Sequence, residues 1–358
     1  MRALYLITQK DFFQMPHGGA VSHHLGIFDG LVELGYDVTI IQLNPVDLNV
    51  IPTRIKKNYI FVNTMQQMLS FIAKNHFDFY LIRKNINNLL WLNKIQSITN
   101  NNKLCVEING LSLQNMQDKS IIGKLIYSLI KFLHCNYLQK IHSIYVVNQN
   151  LKIDLQKLDT SGKIIHIENG IPFIKKTVKK GSIKKILFFG RFQNYNDYKL
   201  LLSLESYFLK NNIILEMIGD GPEFSSIKHL FRKSKHVIFR GFIERSDFLK
   251  SGIVSSKTIG IIPLNINKDS KYLSPIKLYE YLAMKIPVVY SSAMNVDVST
   301  LEGVVFKYDV GNKDSCIESI KSAFALYENI YNVEWVKLIE NHSWDERMKL
   351  LVEFYNRD

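Results

Sequence analysis

Four stretches of the chain end an apolar run in glycine and follow it with a helix-forming pattern. In an open α/β sheet this is where phosphates bind, because a helix N-terminus offers unpaired amides and partial positive charge. The first is His17-Gly18-Gly19-Ala20, where paired glycines let backbone approach a ligand closely. The second is Gly190-Arg191, after the apolar run 185–189. A guanidinium at a strand end can neutralise a diphosphate through two parallel hydrogen bonds. The third is Gly219-Asp220-Gly221-Pro222-Glu223, a strong turn signal. It is not the dinucleotide fingerprint, since Phe224 stands where the third glycine would be. The fourth is Tyr272-Leu273-Ser274-Pro275-Ile276-Lys277-Leu278-Tyr279-Glu280. Here Ser274 is the expected N-cap and Pro275 the first helical residue, so the amides at 275–277 would face an anion. Glu280, one turn further, can accept two hydrogen bonds from vicinal hydroxyls such as those of a ribose. Each stretch also has a plain reading: a flexible loop, a solvated arginine, a tight turn, a capped helix.

These stretches need a frame of alternating strands and helices, and the hydrophobic pattern supplies one. Apolar runs at 2–8, 38–43, 59–62, 78–82, 103–108, 143–147 and 164–167 predict strands, with a helix at 20–34 carrying Val21, Leu25, Phe28 and Leu31 on one face. The rhythm restarts with strands at 185–189, 213–218, 237–240, 258–263 and 287–290, and a helix at about 197–210. Near-continuous apolar strands joined by helices predict parallel sheets, hence an α/β chain. Its 358 residues suit two domains at roughly 100–200 residues each. The expected division is 1–168, a basic linker 169–185 opening on the turn Asn169-Gly170-Ile171-Pro172, a second domain 186–335, and a helical segment 336–358.

The net charge of +13 calls for acidic partners: nucleic acid, an anionic membrane or phosphorylated ligands. It is unevenly placed. Residues 1–170 hold 17 basic and 11 acidic side chains, net +6, and the remainder 28 and 21, net +7. Six of that seven are Lys175, Lys176, Lys179, Lys180, Lys184 and Lys185. A predicted helix at 119–141 is amphipathic, with Lys119, Lys124, Lys131 and Lys140, and reads either as a membrane-surface helix or as an ordinary one with a solvated basic side. Three scattered cysteines fit neither a disulfide framework nor a metal knuckle, and point to a reducing compartment. The first residues are apolar too briefly for a signal peptide, and no apolar run is long enough to span a membrane.

The motifs, in their order, resemble GT-B glycosyltransferases of family 4, the glycosyl transferases group 1. Phe189-Gly190-Arg191, Ile218-Gly219-Asp220-Gly221-Pro222-Glu223, Phe239-Arg240-Gly241-Phe242 and Ser274-Pro275-x-Lys277-x-x-Glu280-Tyr281-x-Ala283 carry the likeness in the second half. Gly18-Gly19-x-x-x-His23, Val106-Glu107-Ile108-Asn109-Gly110, Asn169-Gly170 and Ser343-Trp344 carry it elsewhere. The resemblance implies two Rossmann-like domains facing a cleft, with a C-terminal helix crossing back to the first domain. It implies sugar transfer from a nucleotide-sugar donor to a hydroxyl acceptor with retention, and no metal or other cofactor. By resemblance Arg191 and His23 are catalytic. Gly18, Gly19, Ser274, Pro275 and Ile276 line the phosphates, Gly190 and Gly221 bind the donor, Glu280 holds the ribose, and Phe242 lies by the base. Glu107, Asn109 and Arg83 fall on the acceptor or sugar side. Two positions depart from the pattern. Asn196 stands where a diphosphate lysine is usual, with Lys199 nearby as a substitute, and Tyr272 replaces a donor-sugar glutamate. Polysaccharide-building relatives of this kind commonly use lipid-linked acceptors at the inner membrane face, so capsule or O-antigen synthesis in the cytoplasm is the implied setting.

A different sugar-nucleotide enzyme such as an epimerase, or a degenerate inactive copy, stays open as an alternative. A dehydrogenase is disfavoured by the missing GxGxxG after the first strand, and ATPase or zinc-protease chemistry by the lack of GxxxxGK[ST] and HExxH. No nucleic-acid-binding signature accompanies the charge, so nucleic acid is not an expected partner.

Overall fold

The computed structural model describes residues 1–7, 19–43, 51–83, 89–99, 104–109, 141–157, 163–172, 182–243, 248, 257–266 and 273–357. By internal contacts the chain forms two units. One comprises Met1–Pro16, His24–Glu168 and Trp344–Asp358, the other His17–His23 and Asn169–Ser343.

The first unit is built on strands β1 (Arg2–Ile7), β2 (Asp37–Leu43), β3 (Tyr59–Val62), β4 (Phe79–Arg83), β5 (Leu104–Ile108), β6 (Ser143–Val146) and β7 (Ile164–His166). All neighbours run parallel, in the order β3-β2-β1-β4-β5-β6-β7. Ala3–Ile7 and all of β5 are buried, as strands covered on both faces must be. The order reverses between β1 and β4, the switch point at which such sheets open a crevice. Helix Trp344–Tyr355 belongs to this unit, burying Trp344, Met348, Leu351 and Tyr355. The Trp344 indole fits only because Gly26 lacks a side chain, and Gly30 makes room for the Trp344 carbonyl and Met348. A Cβ on Gly26 would lie 2.0 Å from the ring. The Tyr355 ring meets Phe79 edge-on with centroids 4.6 Å apart.

The second unit repeats the architecture on β8 (Lys184–Phe189), β9 (Ile213–Ile218), β10 (Val237–Gly241), β11 (Lys257–Ile262), β12 (Val288–Ser291) and β13 (Val305–Tyr308), in the parallel order β10-β9-β8-β11-β12-β13. Its switch point lies between β8 and β11. Behind the β8 end, the Phe192 and Tyr198 rings stack, Phe188 meets both edge-on, and Phe192 also packs edge-on against Phe224.

Several expectations differ in detail. The helix predicted at 197–210 is two, Tyr198–Ser203 and Glu205–Lys210, parted at Leu204. Strand β13 has no counterpart in the sequence reading, being four residues of which only Tyr308 is buried. Strand β8 begins at Lys184, one residue before the predicted start and inside the stretch read as linker. Lys185 Nζ sits 3.1 Å from the buried Glu216 carboxylate, which also takes Arg240 Nε at 2.6 Å. Helix Trp335–Asn341 groups with the second unit, so the tail that joins the first begins at Trp344. Lys175, Lys176, Lys179, Lys180 and residues 119–140 of the basic helix lie outside the described residues.

Candidate active site

The second unit gathers its chemistry at the C-terminal end of β8. Gly190 leaves the strand at φ 139°, Gly219 leaves β9 at φ 132°, and Gly221 follows at φ 147°. The two turns interlock. Gly190 N–H donates to the Ile218 carbonyl at 2.9 Å, and Phe192 N–H to that of Asp220 at 2.6 Å. A Cβ on Gly221 would lie 2.4 Å from the Phe192 carbonyl oxygen and 3.0 Å from Arg191 Cγ. Gly221 thus shapes the loop that carries Arg191, whose side chain is exposed.

Helix Ile276–Ala283 closes the other side. Its cap differs from the expected one. Pro275 occupies the N-cap position, and Ser274 makes no cap bond. Ser274 Oγ instead accepts from Asn169 Nδ2 at 2.8 Å. Proline has no N–H, so the donors at this end are the amides of Ile276 and Lys277, as helix geometry leaves the first turn unbonded. Tyr281 pins the helix to β8. Its hydroxyl donates to the Leu187 carbonyl at 2.9 Å and accepts from Phe189 N–H at 2.8 Å. Its ring lies on Gly260, where a Cβ would come within 2.5 Å.

Glu280 is buried at 7% exposure, and Ser22 Oγ donates to its Oε1 at 3.2 Å. Gly19 packs on Ile276, 3.2 Å separating its would-be Cβ from Ile276 Cδ1. His23 is buried, with Nδ1 2.6 Å from Asn169 Oδ1. Asn169 Nδ2 also faces the Ser274 carbonyl at 3.4 Å. That oxygen can only accept, so Asn169 presents Oδ1 to His23. His23 Nδ1 therefore donates, which leaves Nε2 as the ring's acceptor position whenever the imidazole is uncharged.

The first unit collects Glu107, Asn109 and Arg83, which the sequence put on the acceptor or sugar side. Glu107 is fully buried. Its Oε1 accepts from Arg83 Nη1 at 3.1 Å and from Asn109 Nδ2, and its Oε2 accepts from the Tyr5 hydroxyl at 3.0 Å. The Tyr5 hydroxyl also meets His24 Nδ1. Burial and then the Glu107 charge hold the Tyr5 phenol well above its usual pKa, so it remains a donor. A carboxylate so engaged is a hub that positions Arg83 and Asn109. Glu107→Ala strips a buried charge from its partners and is expected to lower stability by about 3–5 kcal/mol, as measured by urea denaturation.

Two further assigned residues are exposed. Lys199 is exposed on helix Tyr198–Ser203, and Phe242 is 41% exposed just after β10. Gly18 and Tyr272 lie outside the described residues. Among the described residues no cluster of three His, Cys, Asp or Glu side chains is placed to hold a metal, and no helix is long and apolar enough to cross a membrane.

Residues 183–324 match the sequence profile of the family described as Glycosyl transferases group 1. The fold is GT-B. Among similar solved structures is Alr3699/HepE of Anabaena in complex with UDP, at 12% identity over 99% of both chains with a TM-score of 0.67. The lipopolysaccharide outer core galactosyltransferase WaaB, in its apo form, gives 12% identity over 99% of both chains and a TM-score of 0.65. The catalytic domain of starch synthase IV from Arabidopsis thaliana, bound to ADP and acarbose, gives 10% identity over 100% of this chain and 99% of that one, with a TM-score of 0.64. No curated protein sequence matches the chain significantly.

The matched group 1 stretch holds every β8-end feature except Gly19, Ser22, His23 and Asn169. Asn169, Ser22, Lys277 and Tyr281 were not assigned site roles from sequence. Lys277 and Tyr281 stand inside the motif itself. Asn169 and Ser22 carry no signal that marks them, since a turn asparagine and a helical serine are commonplace.

Proposed function

We propose that the chain is a metal-independent, retaining glycosyltransferase that moves a hexosyl group from a nucleoside-diphosphate sugar to a hydroxyl of a glycan acceptor. The observation that carries this reading is the grouping, at one strand end of the group 1 stretch, of Arg191, the first-turn amides of helix Ile276–Ala283 and the buried Glu280. As the donor's anomeric C–O bond breaks, negative charge gathers on the departing diphosphate. Arg191 and the amides of Ile276 and Lys277 are fixed donors for that charge, which is how an enzyme lowers such a barrier. Glu280 accepts from the ribose hydroxyls. Asn169 sets the His23 tautomer, so that Nε2 accepts a hydrogen bond from a sugar hydroxyl. Arg83 and Asn109, held by Glu107, serve the acceptor side. The similar structures include complexes with UDP, with UDP and glucose, and with ADP and acarbose, which fits a diphosphate site on this fold.

The acceptor we propose is lipid-linked, in the assembly of a bacterial surface polysaccharide at the inner face of the membrane. The basic excess of the chain supports an anionic surface as its neighbour.

The test is a thermal-shift titration of the chain against UDP, GDP, ADP and CDP. A ligand that binds only the folded state raises apparent stability by about 2.7 kcal/mol at a hundredfold excess over its Kd. One of the four is expected to raise the melting temperature with concentration, and Glu280→Ala to flatten that rise. Flat titrations for all four would remove the reading.

A further inference from the structure

Lys277 stands in the first turn of helix Ile276–Ala283, and its ammonium has no hydrogen-bond partner among the described residues although Nζ is buried. It lies 4.3 Å from the centroid of the Phe188 ring. A side chain on Gly190 would begin 3.4 Å from that nitrogen, so the glycine at the β8 end leaves the space to it. A buried ammonium resting on a ring face is poorly satisfied, because a π face replaces little of its hydration. Such a group costs stability, and a folded chain keeps one where it serves a ligand.

Its neighbours say which ligand. Lys277 shares the β8 end with Arg191, the residue after Gly190, and with its own amide and that of Ile276. Four positive or hydrogen-donating features at one strand end suit a dianionic oxygen cluster. The position five residues after Arg191 cannot add a cation. Asn196 is buried, its Nδ2 donating to the Gln193 carbonyl at 3.2 Å and to Tyr198 Oη at 3.1 Å. Lys199, the other lysine near by, is exposed.

We infer that Lys277 is the second diphosphate cation of this site, its ammonium leaving the Phe188 face to bind the donor's phosphates beside Arg191. The inference rests on the nucleotide-sugar reading above. The four-carbon stem gives the ammonium the reach to turn from the ring to a phosphate at the helix mouth.

The charge state follows. Burial lowers the Lys277 pKa to about 8, against which the Glu280 carboxylate acts to raise it. The elements around it also carry Arg191, Asp220 and Glu223, but among charged groups the one that acts on its titration is Glu280. A bound diphosphate favours the ammonium and raises its pKa. Near pH 8.5 the free chain is therefore partly deprotonated at Lys277, and binding takes up a proton.

The experiment is calorimetric titration of the full chain with UDP, GDP, ADP, CDP and inorganic pyrophosphate, at pH 7 and 8.5, in buffers of different ionisation enthalpy. Wild type is expected to bind at least one nucleotide, more weakly at pH 8.5, with proton uptake. Lys277→Met is expected to bind about 10–100-fold more weakly, as for loss of one charge-assisted contact. It should lose the proton uptake while melting at or above the wild-type temperature. Lys277→Arg should restore part of the affinity without the uptake, and Lys228→Met, on an exposed helix face, should change neither. Wild-type binding that survives Lys277→Met with its proton uptake intact would overturn the inference alone, as would loss of both in Lys199→Met instead. Failure of wild type to bind any of the five would overturn the nucleotide-sugar reading, and this inference with it.

Discussion

Arg191→Ala is expected to lower kcat about 10²–10³-fold, the cost of removing one fixed donor from a developing negative charge. Three observations set that size. Arg191 follows Gly190 at the switch point of the second sheet, where bound phosphates meet strand ends. Its Cγ lies by Gly221, whose missing side chain lets the two turns close and so fixes the backbone that presents the guanidinium. It is also exposed, so its removal empties no packed space, and stability should stay within about 0.5 kcal/mol of wild type. The kinetics separate two roles. A group that holds the diphosphate equally in ground and transition states would raise KM and leave kcat alone. A group matched to the departing diphosphate lowers kcat. The measurement is steady-state transfer with the nucleotide sugar whose nucleotide binds in the thermal screen. A kcat within threefold of wild type would remove Arg191 from the chemistry and leave the helix amides and Lys277 as the diphosphate's holders.

The sheets were legible because buried parallel strands are near-continuous apolar runs, and such runs have few other readings. Strands 59–62 and 213–218 came out as predicted, since each ends in residues that break the run at once. The strand Val305–Tyr308 was hidden because it lies at the sheet edge, where three of its four residues keep some exposure and the pattern loses contrast. The break at Leu204 was hidden because helix propensity is continuous across it. Leu204 is itself fully buried, so a break there leaves no polar mark in the sequence.

The site was legible to the extent that a backbone need shows as a residue type. Gly190, Gly219 and Gly221 mark positive φ, and the sequence announces them. The serine before a proline misled, because proline can itself take the cap position and free the hydroxyl for Asn169. Pairings between distant residues left no trace at all. Nothing in the local sequence tells that Asn169 will fix the tautomer of His23, or that Tyr5 and Arg83 will share one buried carboxylate. A lysine in a first helical turn carries no local signal that its side chain is buried, so the ammonium of Lys277 is not marked in the sequence. What singles Lys277 out is a buried ammonium with no hydrogen-bond partner among the described residues, which only three dimensions can show.

Gly219→Ala is expected to destabilise the chain by about 4 kcal/mol, adding backbone strain of about 1–3 kcal/mol to overpacking of about 1–3 kcal/mol. The strain comes from φ 132°, a conformation that side chains other than glycine rarely adopt. The overpacking comes from the Gly190 carbonyl. A Cβ on Gly219 would lie 2.0 Å from its oxygen and 2.8 Å from its carbon. Backbone cannot swing aside as a flexible side chain would, and this backbone is held on both flanks. Gly219 N–H donates to the Gly241 carbonyl at 2.8 Å, and Gly190 N–H to that of Ile218 at 2.9 Å. Relief of the clash must therefore break the seam between the ends of β8 and β9. Gly303→Ala is the control that divides the two costs. Gly303 has φ 84° with nothing within 4 Å of its would-be Cβ, so only strain of about 1–2 kcal/mol applies. Urea denaturation of both variants should separate them by about 1–3 kcal/mol, the overpacking share. Equal losses would mean that the two turns yield without cost. The same seam positions Arg191, so whatever Gly219→Ala remains folded should bind the nucleotide more weakly than Gly303→Ala does.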